Sequence, residues 1–505
     1  MTDRCYAITD PDALAAIPTA MADLFDGIRE AAETSVFEVM DSFDWRLFNK
    51  GFLLFKSRER YEAIDIATGH PVGTIMAGTE KPLRFARAFP ESDFTAMLKS
   101  ALDIRALLSL GTITRRTIGQ DLLNSDEKIV ARLALETYGI DGRPEKVNQC
   151  RLMPVRGYSV EARRIAACLE QLGLQPAGKP PVLTLLTEKG IAPGACASKI
   201  DLTLAPGMPA AEAVRCIMEN LISVMHANIP GVRQDIDSEF LHDFRVAVRR
   251  ARSLLSQMKG VLDAGTTATL QQRLKTMGDI TGNVRDLDVA LLKKEEYTAL
   301  LPDVLKPGLD QLFGTLQQKR RYARNRMVKA MAGTAFNAAL FDLDAFVRTD
   351  PPTGADSPGG SLPIGELAKT VIYKRYRRIV KKGSRMSDIT PDDHLHRLRI
   401  DCKKLRYLLE FFTSLFPDDL MKILVKQLKQ LQDNLGDFND LSVQQNFLTQ
   451  HLETPRPQVI LSAAATGGLI TRLHTAQQQV RSQFLSVFKT FNATENRKRF
   501  KTLFT

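Results

Sequence analysis

Several kinds of chemistry lack their residues in this chain. Its six cysteines, Cys5, Cys150, Cys168, Cys196, Cys216 and Cys402, are scattered without a CxxC pair. That excludes a zinc ribbon and argues against a disulfide scaffold, so they read as small buried hydrophobes in a reducing compartment. The seven histidines are dispersed with no HExxH, so no metal-ligand cluster can be picked out. No P-loop, no GxSxG and no Cys/His nucleophile spacing is present. No apolar run approaches the ~18 residues a membrane helix needs, and the opening MTDRCYAITD is too polar and acidic for a secretory signal. A cytoplasmic protein without cofactor or metal is expected.

At 505 residues, with 44% hydrophobic and 25% charged residues, the chain has the composition of a soluble globular protein with ample core. The net charge of +11 is unevenly placed. Residues 1 to 200 hold 25 Lys and Arg against 26 Asp and Glu, whereas 201 to 505 hold 44 against 32. The basic surplus belongs to the C-terminal three-fifths, and such a surplus attracts polyanions: nucleic acid, anionic membrane or polyphosphate.

The strongest signal is a duplicated pattern. LHDFRVAVRRAR carries His242, Arg245, Arg249, Arg250 and Arg252, and LHRLRIDCKKLR, 154 residues on, carries His396, Arg399, Lys403, Lys404 and Arg406. The register persists downstream, where Gly282, Asp286 and Leu287 recur as Gly436, Asp440 and Leu441. On a helix, His242, Arg245, Arg249 and Arg252 fall within an arc of roughly 80°. Phe244, Val248, Ala251 and Leu255 share a neighbouring arc, as do Leu398, Cys402, Leu405 and Leu409. One face packs and the other presents charge. A solvated helix face is the ordinary alternative, but such faces intersperse Glu with Lys, whereas this stripe is almost free of carboxylates. Four like charges on one arc cost stability unless an anion is expected, and both copies keep that cost.

Two further helical segments carry basic clusters. KRRYARNRMVK includes Arg320 and Arg324, and YKRYRRIVKK places Lys374, Arg377, Arg378 and Lys381 on one face. Residues 1 to about 175 mix strand-like GFLLFKSRERYEAIDIATG with helix-like SVEARRIAACLEQLGL, an α+β pattern, and the Pro- and Gly-rich stretch from 175 to 195 reads as a linker. From 208 onward amphipathic helices are expected at 208–229, 235–262, 266–281, 284–300 and 304–330. After a break at 349–363 they resume at 364–382, 392–415, 417–435, 438–451 and 457–490. Asp286 and Asp440, each after a glycine turn, read as helix caps or partners of an arginine.

The paired HxxRxxxRRxR and HxxRxxxKKxR helices, with GNVRDLDV and GDFNDL downstream, resemble the CHAD family, the histidine-containing α-helical domain, over residues 200 to 505. The resemblance implies two pseudo-twofold-related four-helix bundles, about 205–348 and 362–492, whose basic helices line a positive groove. It also implies binding of inorganic polyphosphate, association with polyphosphate granules and their proteins, and His242 and His396 as signature histidines. The histidines read as phosphate hydrogen-bond donors or as groups that orient their neighbours. Polyphosphate-site candidates are the ten residues of the two stripes with Arg320, Arg324, Lys374, Arg377, Arg378 and Lys381. Arg forks grip two oxygens, and Lys acts as a point charge. If about eight cations contact phosphate, the log-log salt slope is near −6, at ~0.7 per contact.

MDSFDWRLFNKGFLL, Met40 to Leu54, is similar to a segment of CYTH domains, the triphosphate tunnel fold. The first 178 residues are therefore expected to form a degenerate CYTH-like tunnel or barrel. The departures from that pattern carry weight. The opening strand RCYAIT has no ExExK, and VNQCRLMPV has no carboxylate, so the oxygen ligands a metal-dependent triphosphatase needs are missing. Arg84, Arg87, Arg115, Arg116 and Arg132 remain as phosphate-binding candidates. A non-enzyme is expected, with a metal-dependent triphosphatase or polyphosphatase, or an RNA-binding module, as alternatives. The one Trp and the absence of an RNP motif disfavour nucleic acid.

Overall fold

The computed structural model describes residues 3–144, 146–194, 202–349, 357–387, 389–453 and 460–505. It divides the chain into two compact units, Met1–Ala197 and Ser198–Thr505.

The first unit is built on strands β1 (Arg4–Ile8), β2 (Gly27–Asp41), β3 (Phe52–Ser57), β4 (Arg60–Asp65), β5 (Pro71–Met76), β6 (Leu108–Leu123), β7 (Ile129–Ile140), β8 (Val147–Pro154) and β9 (Gln175–Pro176). All pairings are antiparallel, in one sheet of order β5-β4-β3-β2-β6-β7-β8-β1-β9. Helices α1 (Pro11–Ala22), α2 (Asp93–Leu102), α3 (Ser159–Gln171) and α4 (Pro181–Glu188) cover it. α1 and α3 bury Ile17, Met21, Ile165 and Leu169 against Leu133 and Leu152. α2 closes the β3–β5 end with Leu98 and Leu102 against Leu54 and Tyr61.

The stretch expected as a linker from 175 to 195 instead contains α4. Its Val182, Leu185 and Leu186 join Val39, Trp45 and Ile113 in a third apolar cluster. The prolines that suggested a linker sit at the helix start, where a missing N–H costs nothing. In the Met40 to Leu54 segment, Asp41 is buried and accepts N–H bonds from Ser42, Leu47 (3.0 Å) and Phe48 (2.9 Å). Burial pushes its carboxyl up to about 6 against those donors. It staples a loop.

The second unit is helical: α5 (Ala210–Gln234), α6 (Ser238–Gln257), α7 (Ala264–Leu292), α8 (Lys294–Leu300), α9 (Lys306–Ala332), α10 (Thr334–Arg348), α11 (Ile364–Gly383), α12 (Asp392–Phe411), α13 (Asp418–Glu453), α14 (Ile460–Phe491) and α15 (Thr494–Phe504). None of the described helices is long and apolar enough to cross a membrane. α5, α6, α7 and α9 pack in succession, with α10 against α5 and α7; α11, α12, α13 and α14 repeat the series, with α15 against α11 and α13. The 154-residue offset reappears in the element starts: 210 and 364, 238 and 392, 264 and 418.

The offset also reappears in the backbone. Pro209 bridges Pro363 antiparallel, Ala210 N–H donates to Leu362 O (2.9 Å) and Ile364 N–H donates to Met208 O (2.8 Å). Ala211 to Gly360 (2.9 Å) and Gly365 to Pro206 (3.0 Å) form the next reciprocal pair. Each bond is its partner's image under the same offset, so a local twofold passes between the two proline residues.

Two expected breaks are absent. α7 and α13 run without interruption through Gly282 and Gly436, so Asp286 and Asp440 lie inside helices and cap nothing. An interior glycine costs a helix only ~1 kcal/mol, which packing along the remaining turns offsets. α10 and α15 were not expected, although the former buries Phe336, Ala339, Leu343 and Phe346 at helical spacing. Of the break expected at 349–363, residues 350–356 lie outside the described set, as do 454–459 before α14.

Candidate anion-binding site

α6 is started by Asp237, whose carboxylate accepts from Glu239 N–H (2.9 Å) and Phe240 N–H (3.2 Å). Phe244, Val248, Ala251 and Leu255 are buried, as are Leu398, Cys402, Leu405 and Leu409 of α12. Burying two such faces leaves the basic arcs nowhere to turn but outward. α6 and α12 pack against each other, so the two repeats' stripes come together.

The charges record this proximity. Burial first, then the fields of Arg399 and of Arg249 from the other repeat, push Lys403 down to about 8, with Asp440 opposing and Arg406 adding. Arg245 is lowered by burial and by Arg249, Arg285 and Arg252, against the pull of Asp286. Arg249 and Arg252 are exposed, and neither they nor Lys403 has a hydrogen-bond or ion-pair partner among the described residues.

Their neighbours are held. Arg245 Nη1 donates to Gly278 O (2.8 Å) and Thr281 Oγ1 (3.0 Å) on α7, while its Nε is buried without a partner. A Cβ added at Gly282 would lie 3.6 Å from that Nη1, and one at Gly278 lies 3.7 Å from Arg252 Nη1. The glycines read as a turn are surfaces on which arginines rest. Arg399 donates to Asp440 (3.0 Å), which fulfils the arginine-partner reading of that aspartate. His396 Nδ1–H donates to Asn439 Oδ1 (2.6 Å), and Asn439 Nδ2 donates to Asp440 (3.3 Å). His396 is therefore oriented by a chain ending at Arg399's partner, and its exposed Nε2 donates to an anion only when the ring is protonated. At the equivalent position in the first repeat Arg285 replaces Asn439, and it donates to Ser238 O (3.2 Å) and Glu239 (3.4 Å).

The remaining candidates divide. Arg250 (2.9 Å) and Arg406 (2.6 Å) both donate to Glu410, an ion bridge between α6 and α12. Burial lowers Lys404 first, then Arg375, with Arg378 and Lys259 adding and Asp401 opposing. Arg378 (3.2 Å) joins Arg375 (2.7 Å) and Lys382 (2.6 Å) on the buried Asp401, whereas Lys374, Arg377 and Lys381 are exposed without an ion pair among the described residues. Arg320 and Arg324 lie elsewhere. Arg320 forms a bidentate pair with Asp235 (2.8 and 2.6 Å) and a bond to buried Asp288 (2.5 Å). Arg324 reaches Asp235 (3.2 Å) and Arg233 O (2.9 Å). These two arginines join α9 to α5 and α7. Asp401 escaped sequence reading although a signal existed: it sits three residues after buried Leu398, at the edge of the apolar arc, where a carboxylate needs partners.

The first unit has its own cavity, of about 420 Å³, lined by Phe37, Phe55, Arg115, Glu136, Tyr138 and Arg151 among others. Buried Glu136 accepts from Tyr138 Oη (2.8 Å), Gln149 Nε2 (3.3 Å) and Arg151. Of the five arginines considered in this unit, Arg115 lines the cavity and lies over Phe37; Arg132 instead pairs with Asp121. β1 and β8, the RCYAIT and VNQCRLMPV strands, are neighbours and bring Cys5, Gln149 and Arg151 to it. Among the described residues no group of three or more His, Cys, Asp or Glu is positioned to hold a metal.

The helical unit is thus duplicated, with the cationic stripes of its two repeats apposed. Residues 216–449 match the family model of the CHAD domain, and the chain carries a CHAD domain there. Among solved structures, the CHAD domain from the plant Ricinus communis is similar at 27% identity, covering 59% of this chain and 94% of that one, with a TM-score of 0.48. PptA from Streptomyces chartreusis is similar at 16% identity, covering 56% of this chain and 100% of that one, with a TM-score of 0.45. Two uncharacterized proteins, from Mycobacterium tuberculosis strains H37Rv and CDC 1551, are each 24% identical over 283 residues. The alignment covers 52% of this chain and 52% of theirs, so the chain spans about half the length of the curated relatives it matches.

Proposed function

We propose that the helical unit binds inorganic polyphosphate without chemically altering it, and that this binding associates the protein with cytoplasmic polyphosphate granules and their proteins. The observation that carries the reading is the meeting of the two stripes, in which Lys403 feels Arg249 of the other repeat. Six cations along α6 and α12, Arg245, Arg249, Arg252, Arg399, Lys403 and Arg406, outnumber the two carboxylates bonded to them, Asp440 and the Glu410 that Arg406 shares with Arg250. A linear polyanion with about one charge per unit suits two long adjacent stripes better than a compact anion does. The CHAD match supports the same reading. With about six contacts the stripes' share of the log-log salt slope is near −4. Titrating long-chain polyphosphate into the whole protein at several salt concentrations tests this, and a slope near −1 overturns it.

The N-terminal unit, on this reading, is a degenerate CYTH-like domain that performs no hydrolysis. Its opening strand offers no Glu or Lys, and its one deeply buried cavity carboxylate, Glu136, is already taken by Arg151 and Tyr138. Phosphate release from tripolyphosphate that depends on Mg²⁺ or Mn²⁺ would overturn the non-catalytic part alone.

Lys403 gives the binding a pH signature. In the free protein it titrates at about 8, below the ordinary 10.5. A bound polyanion replaces cationic repulsion by attraction and raises that value. Below about pH 7 the lysine is charged in both states and contributes fully. As pH rises through 8 the free protein loses the charge, binding takes up a proton, and affinity falls. Between pH 7 and 9 the loss should reach about tenfold, one charge-assisted contact of ~1.4 kcal/mol. Lys403→Arg should flatten the profile, because guanidinium stays charged. Calorimetry in buffers of different ionisation enthalpy reads the proton directly. Stability runs the other way: between about 8 and 10.5 the unfolded chain holds the extra proton, so the unliganded protein gains stability as pH rises through that interval.

A further inference from the structure

The two repeats share an architecture but not an electrostatic surface. α11 and α15 together hold eleven Lys and Arg against two Glu, a net of +9. Their counterparts α5 and α10 hold three against four, a net of −1. At the 154-residue offset, Lys374, Arg377 and Lys381 replace Asn220, Ser223 and Ala227. The helix positions are equivalent, so the fold does not require these charges.

Part of the surplus is internal. Arg375, Arg378 and Lys382 surround Asp401, Lys369 pairs with Glu366, and Arg499 pairs with Glu495. What remains is exposed: Lys374, Arg377 and Lys381 on α11, and Arg497, Lys498 and Lys501 on α15, none with an ion pair among the described residues. α15 is locked onto α11 by Phe500, whose ring stacks on Tyr376 at 3.8 Å. That contact brings Arg497 beside Tyr376. The surface borders the paired stripes, because Lys404 of α12 lies in the field of Arg375 and Arg378, and Arg375 donates to Gln257 of α6 (3.2 Å).

We propose that the exposed basic face of α11 and α15 is a second polyphosphate contact, engaged only by chains that already occupy the α6 and α12 stripes and are long enough to pass Lys404. The inference rests on the polyphosphate reading above and adds to it a means of distinguishing long chains from short. A tethered chain meets the second surface at high effective concentration, so weak contacts there add to the affinity of long chains alone. The surface suits a polyanion without bases. Tyr373 is partly covered beside Tyr376, and Phe500 and Phe504 are buried, so no exposed aromatic platform accompanies the charges.

The test exchanges the second repeat's residues for those of the first: Lys374→Asn, Arg377→Ser and Lys381→Ala in one full-length variant, with circular dichroism and thermal unfolding as folding controls. Binding of tripolyphosphate should stay within about twofold of the parent. Long-chain polyphosphate should bind about tenfold more weakly, with a salt slope shallower by about 2, from three contacts at ~0.7 each. Equal losses for both chain lengths, or none for either, overturn the second contact while leaving the paired stripes as the receptor. A parent protein that binds neither chain removes the polyphosphate reading and the inference with it. Poly(U) displacing long polyphosphate more effectively than the reverse, in the parent but not in the variant, assigns the surface to RNA and overturns the proposal.

Discussion

Replacing Arg245, Arg249, Arg399 and Lys403 by alanine should abolish tight polyphosphate binding while leaving the fold intact. Each contributes a charge-assisted contact, and at ~1 kcal/mol per lost contact four amount to about 4 kcal/mol, close to a thousandfold in affinity. The stripes' share of the salt slope should fall from near −4 to about −1. Slope and affinity must move together, because counterion release and direct contact come from the same residues. A variant that loses affinity but keeps its slope has lost structure and not contacts, and one that keeps both returns the stripes to solvated helix faces. Stability gives an opposing sign. Burial first, and then crowded cations, lower Arg245 and Lys403, so removing the burial cost and the mutual repulsion should hold or slightly raise the urea midpoint. The Arg245 bonds to Gly278 and Thr281 act against that gain, which makes Arg249→Ala with Lys403→Ala the cleaner pair for stability.

How far the sequence exposed this arrangement follows from the range of the interactions involved. The duplication was legible because it is written in register, and the same offset relates reciprocal backbone bonds at Pro209 and Pro363 that no residue type announced. The packing arcs of α6 and α12 were legible because helical periodicity is local. Which cations share their charge with a carboxylate was not legible, because the carboxylates come from other turns and other helices. Arg250 and Arg406 meet on Glu410, and Arg378 meets Asp401, through contacts that helix packing creates. Gly282 and Gly436 looked like turns because glycine breaks isolated helices; in α7, Gly278 and Gly282 lie beneath the guanidiniums of Arg252 and Arg245. The sheet order of the first unit, with β1 inserted between β8 and β9, also lay beyond local pattern.

Arg320 separates a cation that holds the fold from one that holds a ligand, and Arg320→Met should cost about 3–5 kcal/mol of stability with no change in the polyphosphate salt slope. The guanidinium satisfies Asp235 through two bonds and Asp288 through a third. Asp288 is buried, and burial raises its pKa despite Arg320, so without the arginine it would be an uncompensated charge in the interior. Asp235, whose pKa the Arg320 bond lowers, would lose its main partner at the αL residue that ends α5. The variant's deficit should shrink at acid pH. Protonation neutralises Asp288 there, and the Asp235 pair, which stabilises the parent above the ordinary carboxylate pKa, is itself lost as pH falls through the lowered value. Urea unfolding at pH 7 and pH 4 measures both effects. A deficit under 1 kcal/mol at pH 7, or a salt slope shallower by the ~0.7 expected of a lost phosphate contact, would place Arg320 among the ligand-binding cations instead.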